Sequence, residues 1–263
     1  MTDNPLLDAI NKEMERNELV LPTLPSVAIR IRDVVEDEMS TIQDIADVIT
    51  TDPALSARIL QIANNPHSKP AKPIVDVGVA VTRIGISVIP HLVTGLVMGQ
   101  LFRSENKTID RYLKNTWSNA SKVATAAQGI ATSLAPHLNN QVAFLAGLLH
   151  DIGNLPILTR ASEMYGENVD VHSLDETLRS EHTRVGAELL KLWNFPEELV
   201  SVIANHENLH WDGGKKADYT DVIIAANYQM HVDKSVEFID TGKIPAFVKL
   251  GIYTDMENIE IRS

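Results

Sequence analysis

Apolar side chains recur at helical spacing along most of the chain. In the segment that shows this best, they follow one another at steps of three and four, which places them on one face of a helix. These residues are Ile42, Ile45, Ala46, Val48 and Ile49. The alternation of apolar and polar residues that is typical of a half-buried strand is almost absent. The pattern therefore predicts an all-α protein, folded as a multi-helix bundle.

Two loop-like segments divide the helical pattern. Thr51 and Asp52 place capping side chains before Pro53, which predicts a helix that begins there and runs toward Ala63. Residues 64–73 contain three prolines and are predicted to be a loop that follows a helical hairpin.

The second loop-like segment, residues 105–110, precedes an amphipathic stretch and predicts the boundary between two halves. We expect an N-terminal helical subdomain over residues 1–105 and a second helical subdomain over residues 106–263. For residues 256–263 the sequence leaves open a short strand or a loose tail.

The net charge limits the partners that this chain can bind. The 35 acidic and 23 basic residues give a formal charge of −12, which repels nucleic-acid backbones and anionic membrane surfaces. We therefore expect neither DNA nor a membrane as a partner, and favour a protein with a basic surface. The absence of cysteine excludes disulfides, thiolate zinc sites and cysteine nucleophiles, and is consistent with a reducing cytoplasm.

One apolar run, residues 77–102, is about long enough to span a bilayer. Arg83, Pro90 and His91 interrupt it, and such groups are costly in contact with lipid. The run is therefore predicted to form two buried helices that meet near Pro90. The N-terminus carries no apolar run of the secretory type, so we expect a cytoplasmic protein.

The segment most suggestive of chemistry is residues 143–158, where an apolar helix is expected to end in His150 and Asp151. Imidazole and carboxylate side chains at one helix end can coordinate a divalent ion together. His182 and His206 lie 32 and 24 residues further on in turn, which suits ligands from successive helices of a bundle. Taken alone, the pair is more often a structural histidine bonded to a neighbouring carboxylate.

The HD phosphohydrolase superfamily is similar in this region, because LLHDIGN is followed by histidine-bearing helices. The resemblance implies metal ligands at His150, Asp151, His182 and His206, and an HD-like bundle. It also implies ligand positions at three places where this chain has asparagine. These are Asn119, Asn205 and Asn227.

Asparagine is neutral, binds divalent cations weakly through one carbonyl oxygen and cannot act as a base. We therefore expect a vestigial site without catalytic residues and without a required cofactor. A weakly bound divalent metal on His150, Asp151, His182 and His206 is left open. Loss of a well-held metal removes the hydroxide nucleophile that phosphoester hydrolysis needs.

The N-terminal half contains four spaced motifs, which are Leu21-Pro22-Thr23-Leu24-Pro25, Asp52-Pro53-Ala54-Leu55, Ala63-Asn64-Asn65 and the run from Ala80 through Ile84-Gly85. In these motifs and their order it resembles the HDOD domain, the HD-related output domain of bacterial signalling proteins. With the His150 segment, the resemblance covers about residues 20–230 as one continuous module.

The resemblance implies a non-catalytic signal-transduction output module that acts by binding a protein or a ligand. Its partners would be signalling proteins, and a homo-oligomer is left open. The alternative is a metal-dependent phosphohydrolase of nucleotides or cyclic dinucleotides with an altered ligand set. A DNA-binding regulator is the weakest alternative because of the charge.

Overall fold

The computed structural model describes residues 4–23, 25–64, 72–231 and 241–252. Within these ranges the regular elements are helices and no strand is present, so the predicted all-α class is confirmed. The α-helices, in chain order, are α1 Pro5–Glu15, α2 Ser26–Glu36, α3 Ile42–Thr50, α4 Pro53–Ala63, α5 Val77–Ile84, α6 Ile89–Met98, α7 Lys107–Leu134, α8 Asn140–Leu149, α9 Asn154–Tyr165, α10 Val171–Leu192, α11 Glu197–Asn205, α12 Tyr219–His231 and α13 Pro245–Leu250. The closing residues 256–263 lie outside the described ranges.

The chain divides into two compact units that interleave along the sequence. Unit 1 comprises Met1–Trp117 and Asn154–Val185, and unit 2 comprises Ser118–Gly153 and Gly186–Ser263. Helices α7 and α10 each begin in unit 1 and end in unit 2. This division rests on contacts and does not test how residues 1–105 fold by themselves, so the predicted subdomain boundary stays a prediction.

In unit 1, α4 begins and ends where the sequence predicts. The Asp52 carboxylate caps it by accepting hydrogen bonds from the Ala54 and Leu55 amides, at 2.9 and 3.1 Å. At the other end, the Asn64 side chain donates to the Leu60 carbonyl at 2.9 Å and to the Ile74 carbonyl at 2.7 Å. The asparagine of the Ala-Asn motif therefore joins the two ends of the 64–73 segment, most of which lies outside the described residues.

The apolar run 77–102 forms two helices, α5 and α6, and the break between them at residues 85–88 lies just before Pro90, as predicted. The chain turns at Gly85, whose φ of +104° favours glycine, and the two helices are bent by 110°. Pro90 lies in the first turn of α6, where its missing amide hydrogen costs nothing. Among the described residues, Asn140–Tyr165 is long and apolar enough to cross a membrane by length and composition, and 72% of its most apolar window is buried within the protein.

The prediction of a loop over residues 105–110 is wrong from Lys107 onward. Helix α7 already begins at Lys107, because the Asn106 side chain accepts hydrogen bonds from the Thr108 and Ile109 amides at 2.9 and 3.1 Å. Asparagine at this position is a helix cap, and the sequence interpretation treated it as loop composition.

Unit 2 is built around α8, an apolar helix that packs against α11 and α12. Gly147 of α8 lies against the backbone of α7: a Cβ atom at this glycine would be only 2.5 Å from the Ala124 Cα. The short connection after α7 is fixed from elsewhere in the unit, since Tyr219 accepts a hydrogen bond from the Asn139 amide at 2.9 Å. These contacts hold the C-terminal end of α8, where His150 lies.

Candidate metal centre

His150 lies at the C-cap of α8 and is completely buried. Its Nδ1 is 2.8 Å from the Gly147 carbonyl, which can only accept, so Nδ1 carries the proton and Nε2 offers a lone pair. Nε2 lies 3.3 Å from Asp151 Oδ2 and makes no hydrogen bond of acceptable geometry with the described residues. A buried imidazole nitrogen of this kind is suited to a cation.

His206 approaches the same carboxylate from the C-terminal end of α11. Its Nδ1 is 2.9 Å from the Ile203 carbonyl, and its Nε2 is 3.6 Å from Asp151 Oδ1. The rings of His150 and His206 are nearly perpendicular, with centroids 5.1 Å apart. The potential ligand atoms of His150, Asp151 and His206 all lie within 4.8 Å of one another.

The electrostatics of the site keep Asp151 ionised. Burial acts to raise its pKa, but the attraction of the adjacent His150 and His206 imidazoles outweighs burial and holds the pKa well below its usual range. Burial acts to lower the pKa of His150, and the Asp151 carboxylate outweighs it and raises that pKa. An anionic carboxylate between two imidazoles attracts a cation, whether a proton or a metal ion.

The three residues fit one divalent ion. In metal sites a histidine commonly donates its second ring N–H to a carbonyl or carboxylate, which fixes the orientation of the coordinating nitrogen. His150 and His206 both have this arrangement, and two imidazoles with one carboxylate form a common partial ligand set. Water or another group would have to complete the coordination.

The resemblance to HD enzymes predicts that Asn119 takes the place of their first histidine. Its side chain, on α7, is oriented with Nδ2 3.5 Å from Asp151 Oδ2, a long hydrogen bond in which the amide donates. The structure therefore brings Asn119 to the Asp151 carboxylate as a donor, which competes with a cation for that oxygen. Sequence reasoning identified this position and did not predict the contact.

The other asparagines are placed differently. Asn205 donates to the carbonyl of Ser201 at 2.8 Å, one turn back on its own helix α11. Asn227 lies on α12 and is partly buried. That these two residues belong to the site stays a prediction.

His182 belongs to unit 1, in the part of α10 that precedes Gly186. It is buried, and its Nδ1 is 2.7 Å from the Leu178 carbonyl of the same helix. The ring is thus oriented like those of His150 and His206. Its membership in one site with them stays a prediction.

Two features of the site were missed by sequence reasoning. Gly147 supplies the carbonyl for His150 and allows α7 to approach; its place three residues before the histidine is the available signal. The segment after His206 also has a structural role, because Asp212 forms an ion pair with Lys249 of α13 at 3.2 Å.

The HDOD domain family matches residues 21–209, about three quarters of the chain. The chain belongs to the HDOD family. This HDOD chain is 28% identical over 199 residues to an uncharacterized protein of Treponema pallidum; the match covers 72% of the chain and only 38% of that relative.

Two solved structures share the HDOD chain's fold over almost its whole length. The first is a protein of Shewanella amazonensis provisionally described as a metal-dependent phosphohydrolase. It is 29% identical, with a TM-score of 0.76 and coverage of 93% of this chain and 95% of that one. The second is an HDOD domain protein of unknown function from Geobacter sulfurreducens, 23% identical with a TM-score of 0.64, covering 92% and 86%. The HD-like helical fold is therefore shown.

Proposed function

We propose that this protein is a signal-transduction output module that acts by binding and does not hydrolyse phosphoesters. The observation that carries the proposal is the donation from Asn119 to Asp151, at the position where the catalytic relatives place a histidine ligand. An amide N–H directed at the carboxylate offers no lone pair to a metal.

Hydrolysis by an HD-type site needs a metal held firmly enough to lower the pKa of its bound water. In unit 2 the described ligand set is His150, Asp151 and His206, to which the asparagines add no imidazole and no negative charge. We therefore propose that no cofactor is required, and that a divalent ion binds here only weakly.

The centre is suited to a conformational response. His150 ends α8 and His206 ends α11, and both side chains converge on Asp151. A cation or small ligand that draws the two imidazoles together would favour one packing of these helices over another. Relay of that change to a signalling protein in the cytoplasm is our proposed mechanism, with neither DNA nor a membrane as the partner. Self-association is a further proposal that a sedimentation measurement can test.

A metal-dependent phosphohydrolase is the second candidate. The observation that favours it is the buried Nε2 of His150, which makes no hydrogen bond with the described part of the chain. The description of the Shewanella relative agrees with it. In this case Asp151 and the two histidines would hold the metal, whose chemistry would be to activate a water.

The test is to purify the protein without an affinity histidine tag, measure its metal content, and titrate it with manganese, iron and zinc while assaying phosphodiester and nucleotide hydrolysis. We expect substoichiometric metal and no turnover. The exposed His172 provides a matched control: His172→Ala should leave metal binding unchanged, while His150→Ala and Asp151→Ala abolish what binding there is.

Stoichiometric metal with turnover that is lost in Asp151→Ala and kept in His172→Ala would refute the binding-module proposal. A further variant, Asn119→His, replaces the donor with an imidazole. It should tighten metal binding by about tenfold or more if the asparagine is what weakens the centre.

A further inference from the structure

Helix α1 of unit 1 contacts α9 through one face. Leu6, Ile10 and Glu13 follow one another at steps of four and three residues, which places them on the same side of α1. The two apolar side chains are completely buried. Glu13 accepts hydrogen bonds from the Arg160 guanidinium of α9 at 2.6 and 2.9 Å, and α1 packs on α9. The shared face of α1 is therefore directed toward α9.

The N-terminal end of α1 is bound to α10. Asn4, the N-cap of α1, is buried and donates to the Ser173 carbonyl at 3.1 Å and to the Glu176 carboxylate at 3.0 Å. The Ser173 carbonyl also accepts a hydrogen bond from the Thr177 hydroxyl at 2.7 Å. This carbonyl thus keeps a partner on its own helix if Asn4 moves away. All four residues belong to unit 1.

Two arginines that bind the C-terminal half of α1 also have a second partner on their own helix. Arg184 of α10 donates to the Asn11 side chain and pairs with Glu181 at 2.6 Å, and Arg160 lies 3.4 Å from Glu163. The two arginine side chains are 43% and 32% exposed. Breaking an ion pair is most costly where it leaves a buried charge without a partner, and release of α1 avoids that cost. The residues that we call the α1-binding surface are Arg160, Ser173, Glu176, Thr177 and Arg184.

Two further features suit α1 to release. The HDOD family match begins at residue 21, so α1 precedes the part of the chain that the family shares. The connection from α1 to α2 is exposed at Arg16, Asn17, Glu18 and Val20. An isolated helix of 11 residues is marginally stable in water, so we expect α1 to lose its structure when it leaves the surface.

We propose that α1 is a releasable helix, and that the α1-binding surface docks a helix of a signalling partner in its place. That helix would have an amide side chain at its N-cap, apolar side chains two and six residues later, and a carboxylate nine residues later, as α1 does. Partner binding would be helix-in-groove recognition, with α1 as the competitor. Because α1 is tethered, its effective concentration is on the order of millimolar, and a partner must overcome it. The proposal rests on the proposed binding function and names the site where the partner binds.

The probe is a fluorescent peptide of residues 1–16, titrated into the full-length protein with affinity measured by anisotropy. A second peptide keeps Asn4, Leu6, Ile10 and Glu13 and has alanine, glutamine and lysine elsewhere, and a third is the second in scrambled order. We expect the first two peptides to bind at least about tenfold more tightly than the third. Amide hydrogen exchange in the full-length protein should be faster in α1 than in α9.

Variants of the full-length protein separate competition by α1 from the surface itself. The double variant Leu6→Ser/Ile10→Ser disables the tethered helix, and should bind the peptide at least about tenfold more tightly than the wild type does. In that background, Arg160→Glu should weaken binding by about tenfold, and a peptide that carries Glu13→Lys should restore it. The matched control Arg179→Glu, which makes the same change of charge at an exposed arginine of α10, should not weaken binding.

Circular dichroism of the double variant checks its folding. If it is unstable, Glu13→Lys alone is a milder change that places a lysine opposite Arg160, and it should likewise tighten binding of the peptide. Equal affinity of the wild type and both of these variants, equal affinity for the scrambled peptide, or exchange in α1 as slow as in α9 would each overturn the proposal.

A concentration-dependent dimer that the peptide dissociates would also overturn it, because the α1-binding surface would then belong to α1 of a second copy. None of these results touches the proposed absence of hydrolysis, which the metal titration tests separately.

Discussion

Substitution of Gly147 by alanine tests the packing that positions His150. The added Cβ would be 2.5 Å from the Ala124 Cα and 2.7 Å from the Ala124 backbone nitrogen. Carbon atoms in contact normally lie about 3.5–4.0 Å apart. A backbone atom cannot rotate away as a side chain does, so α7 and α8 must separate by roughly 1 Å.

The magnitude follows from two opposing contributions. Overpacking of a well-packed core costs about 1–3 kcal/mol, and a contact with backbone belongs in the upper part of that range. Alanine recovers up to about 1 kcal/mol of helix propensity over glycine. We therefore expect a net loss of about 2 kcal/mol in the free energy of unfolding, or roughly 4–8 °C in Tm.

The assay is urea and thermal unfolding, followed by far-UV circular dichroism. The matched control is Gly78→Ala in α5, where the nearest atom to the new Cβ is a side-chain oxygen of Asp76 at 3.2 Å. A side chain can give way by the few tenths of an ångström required, so this variant should be as stable as the wild type or slightly more so. A Gly147→Ala variant whose unfolding free energy lies within about 0.5 kcal/mol of the wild type would refute the close approach of α7 and α8.

Further predictions concern other parts of both units. Lys249→Met leaves the fully buried Asp221 without its ion-pair partner at 3.2 Å. The unfolding free energy, measured by urea titration, should fall by about 3–5 kcal/mol. The double variant that adds Asp221→Asn should recover stability, because it removes the unpaired charge. Asn4→Ala removes both the cap of α1 and a hydrogen bond to the Ser173 carbonyl, so we expect a loss of about 2 kcal/mol and faster hydrogen exchange in α1. Burial and the Asp175 carboxylate raise the pKa of Tyr112 to about 12. In the unfolded chain the Tyr112 hydroxyl loses its proton near pH 10, so its contribution to the free energy of unfolding is present below pH 10 and is lost as the pH rises toward 12. The free energy of unfolding of Tyr112→Phe should not show this decrease between about pH 10 and pH 12.

Local signals in the sequence were sufficient for some helix boundaries. Helix α4 starts and ends where it was predicted because its cap, Asp52, and its first residue, Pro53, act within one turn. The same kind of signal at Asn106 was misjudged, since asparagine favours both loops and helix caps. The break between α5 and α6 falls near Pro90, as predicted, but the sequence did not show that the chain turns at Gly85, where φ is positive, and that Pro90 fits the first turn of α6.

Part of the candidate metal centre could likewise be predicted from the sequence, and part could not. Adjacent residues such as His150 and Asp151 could be paired from sequence alone, and family resemblance suggested His206. The direction of the Asn119 amide and the approach of Ala124 to Gly147 depend on how α7 packs on α8. Such contacts are properties of tertiary structure, and a single sequence carries no local signal for them.

The orientation of the histidines argues less for a metal than it first suggests. His91 of α6, which belongs to no predicted site, also has its Nδ1 near the carbonyl of the preceding turn, 3.3 Å from Ser87. A helix can therefore orient an imidazole by itself, and a histidine oriented in this way can persist after other metal ligands have been replaced.

What distinguishes His150 from His91 is its neighbour. Burial lowers the pKa of His91, whereas the Asp151 carboxylate reverses that effect at His150 and raises its pKa. Asp151 is thus the residue that makes the centre attractive to a cation. The same carboxylate accepts a hydrogen bond from the Asn119 amide, so a cation that binds to Asp151 has to compete with that amide.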